Sequence, residues 1–309
     1  MEFLAFPLLL AIGGMLALQA AANVELSTAT GSPFGASILQ LGIAAALLLA
    51  VAAAAGTLGA FELVADAEPW HLVGGLGSAI YITAGILLFP RLGAVVSVGL
   101  IIAGQMLASL ALDGFGWLGV SSEPLGAAAL LGAAAVVTGA ALIVRGQVGS
   151  KAIEGVVRER AGWLALGLVA GAALPVQGAV NAQLRAELDA PATVGAFSFL
   201  VATAVMALVL AASLALAGTS KPRAAPLRRV PWWGWLGGVC GASYVTSVFL
   251  LIPEIGTAGT IALTVAGQQL GSLLVDRYGL LRLPRRELPL VRLAGVATLL
   301  VGVALIQVP

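Results

Sequence analysis

At 309 residues the chain is 60% hydrophobic and only 9% charged, with a net charge of +1 and a mean hydropathy of +1.07. A soluble domain carries about 25% charged residues, so water is the wrong solvent for this chain, and its near-neutrality gives no reason to expect a nucleic-acid partner. One Cys (Cys240) and one His (His71) exclude a disulfide framework and a zinc site built from those residues; no metal and no cofactor are expected.

In chain order, ten segments meet the requirement of about 20 mostly apolar residues for a spanning helix: 3–24, 34–57, 71–89, 92–112, 124–144, 162–183, 192–217, 233–252, 255–275 and 289–307. The first, "MEFLAFPLLLAIGGMLALQAAA", carries Glu2 where a signal peptide needs positive charge, so a retained helix is expected. The third and fourth segments are parted only by Pro90 and Arg91, the eighth and ninth only by Pro253 and Glu254, which predicts tight antiparallel hairpins.

Assigning the connections alternately to the two membrane faces puts 14 of the 15 Lys and Arg residues on one face and Arg185 alone on the other. Basic residues of short loops stay cytoplasmic, so this predicts a multi-pass cell-membrane protein with both termini outside. Trp232, Trp233 and Trp235 then fall at the inner interface, Trp70 and Trp117 at the outer one.

The chain repeats itself. Gln19, Asn23 and Pro33 recur 158 residues on as Gln177, Asn181 and Pro191. From Tyr81 the offset becomes 163: Tyr81 matches Tyr244, Gln105 matches Gln268, and Asp113 matches Asp276. Between 90–116 and 253–279, 11 of 27 positions are identical. Each half (1–150 and 151–309) holds five helices, an odd number, so the second half enters the membrane from the opposite face. The predicted fold is an all-α bundle of two inverted five-helix repeats, an architecture of secondary transporters whose site lies between the repeats near mid-membrane.

The candidate site follows from the buried amides. Gln19 and Asn23, four apart, share a helix face, as do Gln177 and Asn181. Either both pairs face a shared cavity, where amides donate and accept hydrogen bonds, or they join helices at roughly 0.6–2 kcal/mol per bond. Gln105, Gln268, Tyr81 and Tyr244 are second-rank lining candidates. Pro175 interrupts the sixth helix and, with Ala17 at its counterpart, is the expected hinge. Glu25 is the acid nearest the amides, so any proton coupling falls to it. Asp113 and Asp276 end the fourth helix of each half, as polar stops or as functional groups.

The stretches "LPVQGAVNAQLR", "LGGVCGASYVTSVFLLIPEIGTAGTIALTVAGQQLGSLLVDRYGL" and "LAGVATLLVGVALIQ" resemble the YdcZ-like family of the drug/metabolite transporter superfamily, in a fused two-repeat form. The resemblance implies that the first four helices of each half surround the pathway while the fifth packs outside. A weaker similarity reaches the small multidrug exporters, with Gln177 and Gln19 standing where those proteins carry a coupling glutamate. That departure argues against proton-coupled cation export. The leading expectation is a transporter of a small metabolite or amphipathic compound working by alternating access, as a monomeric pseudo-dimer or a homodimer in lipid. A passive channel and a non-transporting scaffold or lipid handler are the alternatives. With no clustered mid-membrane acids, an intramembrane enzyme lacks a nucleophile and a base.

Overall fold

The computed structural model describes residues 2–92, 94–122, 125–148, 150–216, 220–282, 285 and 288–306. Among them are ten α-helices: α1 (Glu2–Thr30), α2 (Pro33–Ala54), α3 (Gly75–Leu92), α4 (Ala94–Phe115), α5 (Ala127–Val148), α6 (Ser150–Leu188), α7 (Pro191–Leu216), α8 (Leu236–Ile255), α9 (Thr257–Tyr278) and α10 (Leu290–Ile306). Each covers one of the apolar segments. Eight contain stretches long and apolar enough to cross a membrane, and Ala127–Ile143 of α5 and Leu290–Ile306 of α10 are shorter apolar helices. The chain is a multi-pass membrane protein.

Local chemistry sets the helix ends. α2 and α7 both open on proline, whose missing N–H costs nothing in a first turn, and Ser32 caps α2 by accepting from the Gly35 N–H at 3.1 Å. Several boundaries differ from the sequence reading: α1 runs on to Thr30, and α3 continues through Pro90 and Arg91, expected to part it from α4, as far as Leu92. α6 starts at Ser150 rather than near 162, because the charged run before the apolar stretch is rich in good helix formers and holds no proline. α8 continues through Pro253 and Glu254 and breaks at Gly256, whose φ of 74° and ψ of 166° belong to glycine. The expected break at Pro253 is absorbed within the last turn. α6 is one helix through Pro175. The connection after α2 winds into two 3-10 turns, Leu58–Ala65 and Pro69–Val73.

Packing crosses between the halves, and it does so in matched pairs. α1 packs on α8 and α9, while α6 packs on α3 and α4; α2 pairs with α7, and α5 with α10 in the most extensive contact of all. Glycines make the approaches possible. A Cβ on Gly13 would collide with the Thr264 carbonyl of α9, and a Cβ on Gly171 with the Ile101 carbonyl of α4, the same contact displaced by one repeat. Gly267 against Leu10 and Gly104 against Leu168 repeat the match. In the α5–α10 pair a Cβ on Gly132 would lie 2.7 Å from the Gly302 oxygen, and one on Gly139 would lie 2.6 Å from the Gly295 oxygen. Small residues let membrane helices approach closely enough for backbone packing to replace the hydrophobic drive that lipid removes.

Candidate solute site

The amides named from the sequence are all buried, but the two repeated pairs have different neighbours. On α6, Gln177 accepts from the Ser78 hydroxyl at 2.9 Å and donates to the Ser198 hydroxyl at 3.4 Å, and the Asn181 amide donates to the same Ser198 oxygen at 3.1 Å. Four side chains from α3, α6 and α7 thus close into a packed polar knot. On α1, Gln19 donates to the Gly237 carbonyl at 3.3 Å; the asparagine oxygen makes no hydrogen bond in either copy, Asn23 Oδ1 here and Asn181 Oδ1 on α6.

The positions equivalent to the two serines explain the difference. Ser78 corresponds to Gly241, which has no hydroxyl to offer, and a Cβ there would lie 2.6 Å from Gln19 Nε2. Ser198 corresponds to Gln40, whose amide turns away to the Gly234 carbonyl at 3.2 Å. The α1 pair is left without a knot.

Beside that pair is a cavity of about 80 Å³. A water needs roughly 10–15 Å³ measured this way, so there is room for several waters or a small solute. Gln19, Asn23, Tyr81, Gln268, Gln269, Ser272 and Arg292 form its polar wall. Leu16, Ile82, Ile86, Val98, Ile101 and Ile143 form much of its apolar wall. Gln268 lies beside the Tyr81 hydroxyl. A separate gap of about 10 Å³ lies between Gln19, Ser78, Tyr81 and Tyr244, sharing Gln19 and Tyr81 with the cavity wall and Ser78 with the packed knot. Tyr244 repeats the Tyr81 arrangement by facing Gln105, but its hydroxyl and both polar atoms of Gln105 make no hydrogen bond and neither residue reaches the larger cavity.

The structure therefore brings Gln19, Asn23, Tyr81 and Gln268 together around one space. Gln177 and Asn181 sit in the knot instead, and Tyr244 touches only the narrow gap. Glu25 lies outside the cavity wall, with its Cγ 3.5 Å from where a Cβ on Gly234 would stand, next to the Trp232–Trp235 turn. Ile143 of α5 and Arg292 of α10 do reach the cavity, so the fifth helix of each half contributes to its wall.

At the other end of the bundle the halves are tied across. Asp113, nearly buried at the end of α4, accepts from the Thr257 N–H at 3.0 Å and the Ala258 N–H at 2.6 Å, which caps the start of α9. A carboxylate there meets two orphan donors and the positive end of the helix dipole. His71 Nδ1 meets Glu187 Oε1 at 2.7 Å, and Thr193 donates to the Thr57 carbonyl at 2.9 Å. The side chains of Asp276, Lys151, Arg158, Arg160, Arg282 and Arg286 lie outside the described residues.

The sequence model of one family, described as "Putative inner membrane exporter, YdcZ", matches residues 4–142 and again residues 162–305. The chain belongs to this family. It is a two-repeat member, and its kind is a membrane transporter rather than an enzyme. No curated protein matches it. One solved crystal structure of a protein is similar over 97% of this chain and 96% of its own, with a TM-score of 0.61 at 19% identity. That likeness shows the fold alone.

Several groups of this YdcZ-family chain escaped the sequence reading. Ser78, Ser198 and Gln40 decide which amide pair stays open, yet isolated serines and a lone Gln in apolar helices give no periodic signal. Gln269 was visible as the only difference between "AGQM" and "AGQQ", and it lines the cavity. His71 carries a contact between the halves that nothing local in the sequence announces.

Proposed function

We propose that the protein is a secondary transporter of the inner membrane, moving a small amphipathic compound by alternating access between two inverted repeats that together span the membrane ten times with both termini outside. The observation that carries this reading is the asymmetry of a duplicated feature: one amide pair faces a cavity while its repeat is closed into a knot. If the halves exchange roles, the cavity moves from one end of the bundle to the other without a new fold. With the face that carries the basic connections taken as the inner one, the cavity end lies inside and this conformation is inward-facing, closed at the outer end by Asp113, His71–Glu187 and Thr57–Thr193.

The repeat also suggests how the seal is exchanged. It carries Asp113 onto Asp276 and Thr257 onto Ala94. In the outward-facing form Asp276 would cap the start of α4 while Asp113 releases α9. The α5 and α10 spans, being short, would thin the bilayer locally rather than fail to cross.

The test is sided labelling. In a Cys240→Ala background, Ser272→Cys places a thiol on the cavity wall. In inside-out vesicles a membrane-impermeant maleimide is expected to label it, with little labelling from the outer face. Adding Asp113→Asn should raise labelling from outside and lower it from inside. Rapid labelling from both faces at once would instead indicate a passive channel, and sidedness indifferent to Asp113 would remove the exchange mechanism.

A further inference from the structure

The chemistry of the cavity wall narrows the solute class. We infer that the cavity between α1, α3 and α9 takes an uncharged amphipathic compound bearing a group that both donates and accepts hydrogen bonds, such as a primary carboxamide on an apolar body, and rejects organic cations. This rests on the cavity being the transport site.

Four observations converge. The uncharged polar wall is made of four primary amides, a phenol and the Ser272 hydroxyl, and the described residues lining it include no Asp or Glu. Buried atoms on that wall lack protein partners and are of both kinds: the acceptors Asn23 Oδ1 and Gln268 Oε1, and the donor Gln269 Nε2. A buried amide left unmatched is costly, so a solute offering both a donor and an acceptor gains what the protein alone does not supply. Among the described lining residues the one formal charge is Arg292, 5% exposed and engaged with another group of the protein. Its charge repels a cation. The facing wall of Leu, Ile and Val holds no counter-ion, and an ion placed against it loses its hydration without compensation. The same wall accepts an apolar ring or chain.

A series that varies only the head group tests this: benzamide, benzoate and benzylammonium, titrated by calorimetry into the full chain in detergent micelles. Benzamide is expected to bind most tightly, benzoate more weakly and benzylammonium not at all. Gln269→Leu should weaken benzamide about tenfold, the loss of roughly one hydrogen bond. Gln269→Glu should instead create benzylammonium binding, a gain that a misfolded variant does not produce. Ser198→Ala, in the knot, should leave benzamide binding unchanged. Benzoate or benzylammonium binding more tightly than benzamide to the unaltered chain would overturn the assignment, as would no binding by any of the three. Sided labelling of Ser272→Cys is read on the same preparation. If labelling is sided but the benzamide preference is absent, the solute class is wrong and the transporter reading stands; if labelling is unsided, the transporter reading itself has failed.

Discussion

Gln19 and Asn23 on α1, and Gln177 and Asn181 on α6, are the same two residues at the same spacing, one repeat apart. One pair borders a cavity and the other is locked by Ser78 and Ser198. What differs is not the pair but its surroundings, two positions on neighbouring helices. A duplicated helix keeps its own chemistry and acquires a new role when the helices around it change. Two repeats fused in one chain can therefore behave differently at the two ends of the bundle.

The comparison rests first on the matched glycine crossings, and breaking these should have the largest effect. Gly13→Val and Gly171→Val each drive a side chain into the carbonyl of a crossing helix. Overpacking costs about 1–3 kcal/mol even where the neighbours can shift, and here the neighbour is backbone. Both variants should fail to yield a monodisperse peak in detergent chromatography. A tolerant Gly13 beside an intolerant Gly171 would show that the halves are not equivalent in packing.

Next is the end-to-end seal. Asp113→Ala removes two hydrogen bonds to a carboxylate, each contributing about 1.5–3 kcal/mol, and should lower the melting temperature by several degrees. Thermal unfolding in detergent checks this. A shift no larger than that of an exposed surface variant would mean that the carboxylate does not hold α9 in the membrane-embedded chain.

A smaller change should make the two pairs alike. Ser198→Ala unlocks the α6 pair, at a cost near 1 kcal/mol by the scale of membrane hydrogen bonds. The reverse experiment, Gly241→Ser with Gln40→Ser, supplies the α1 pair with the hydroxyls it lacks and should slow maleimide labelling of Ser272→Cys. Faster labelling would show that the serines do not close a knot. Smallest of all is the effect of Gln19→Leu on stability, expected to stay within about 0.6 kcal/mol, since only the bond to the Gly237 carbonyl is lost.

Much of the molecule could be read before any coordinates. Each apolar segment is helical because its length and composition suffice locally, and the prolines at 33 and 191 begin helices because proline suits a first turn. The boundary at Gly256 was missed, since Pro253 looked like the stronger breaker; in a last turn, with the chain reversing just beyond, it is not. The candidate site was legible as a set of residue types. Which members share a space was not, because Gln268 of α9 and Asn23 of α1 meet across an interval of the chain that no local pattern spans.

By itself, then, the sequence determined the solvent, the helices and the duplication, since hydropathy, proline and self-similarity all act within a segment or between aligned segments. Only the tertiary structure decided which copy of the amide pair is open. That choice depends on whether a serine, a glycine or a turned-away glutamine stands opposite, and those residues come to their places only when α1 packs against α8 and α6 against α3. Hydrogen-bond partners in a membrane interior are a property of the packed bundle, because no water is there to make every amide equivalent.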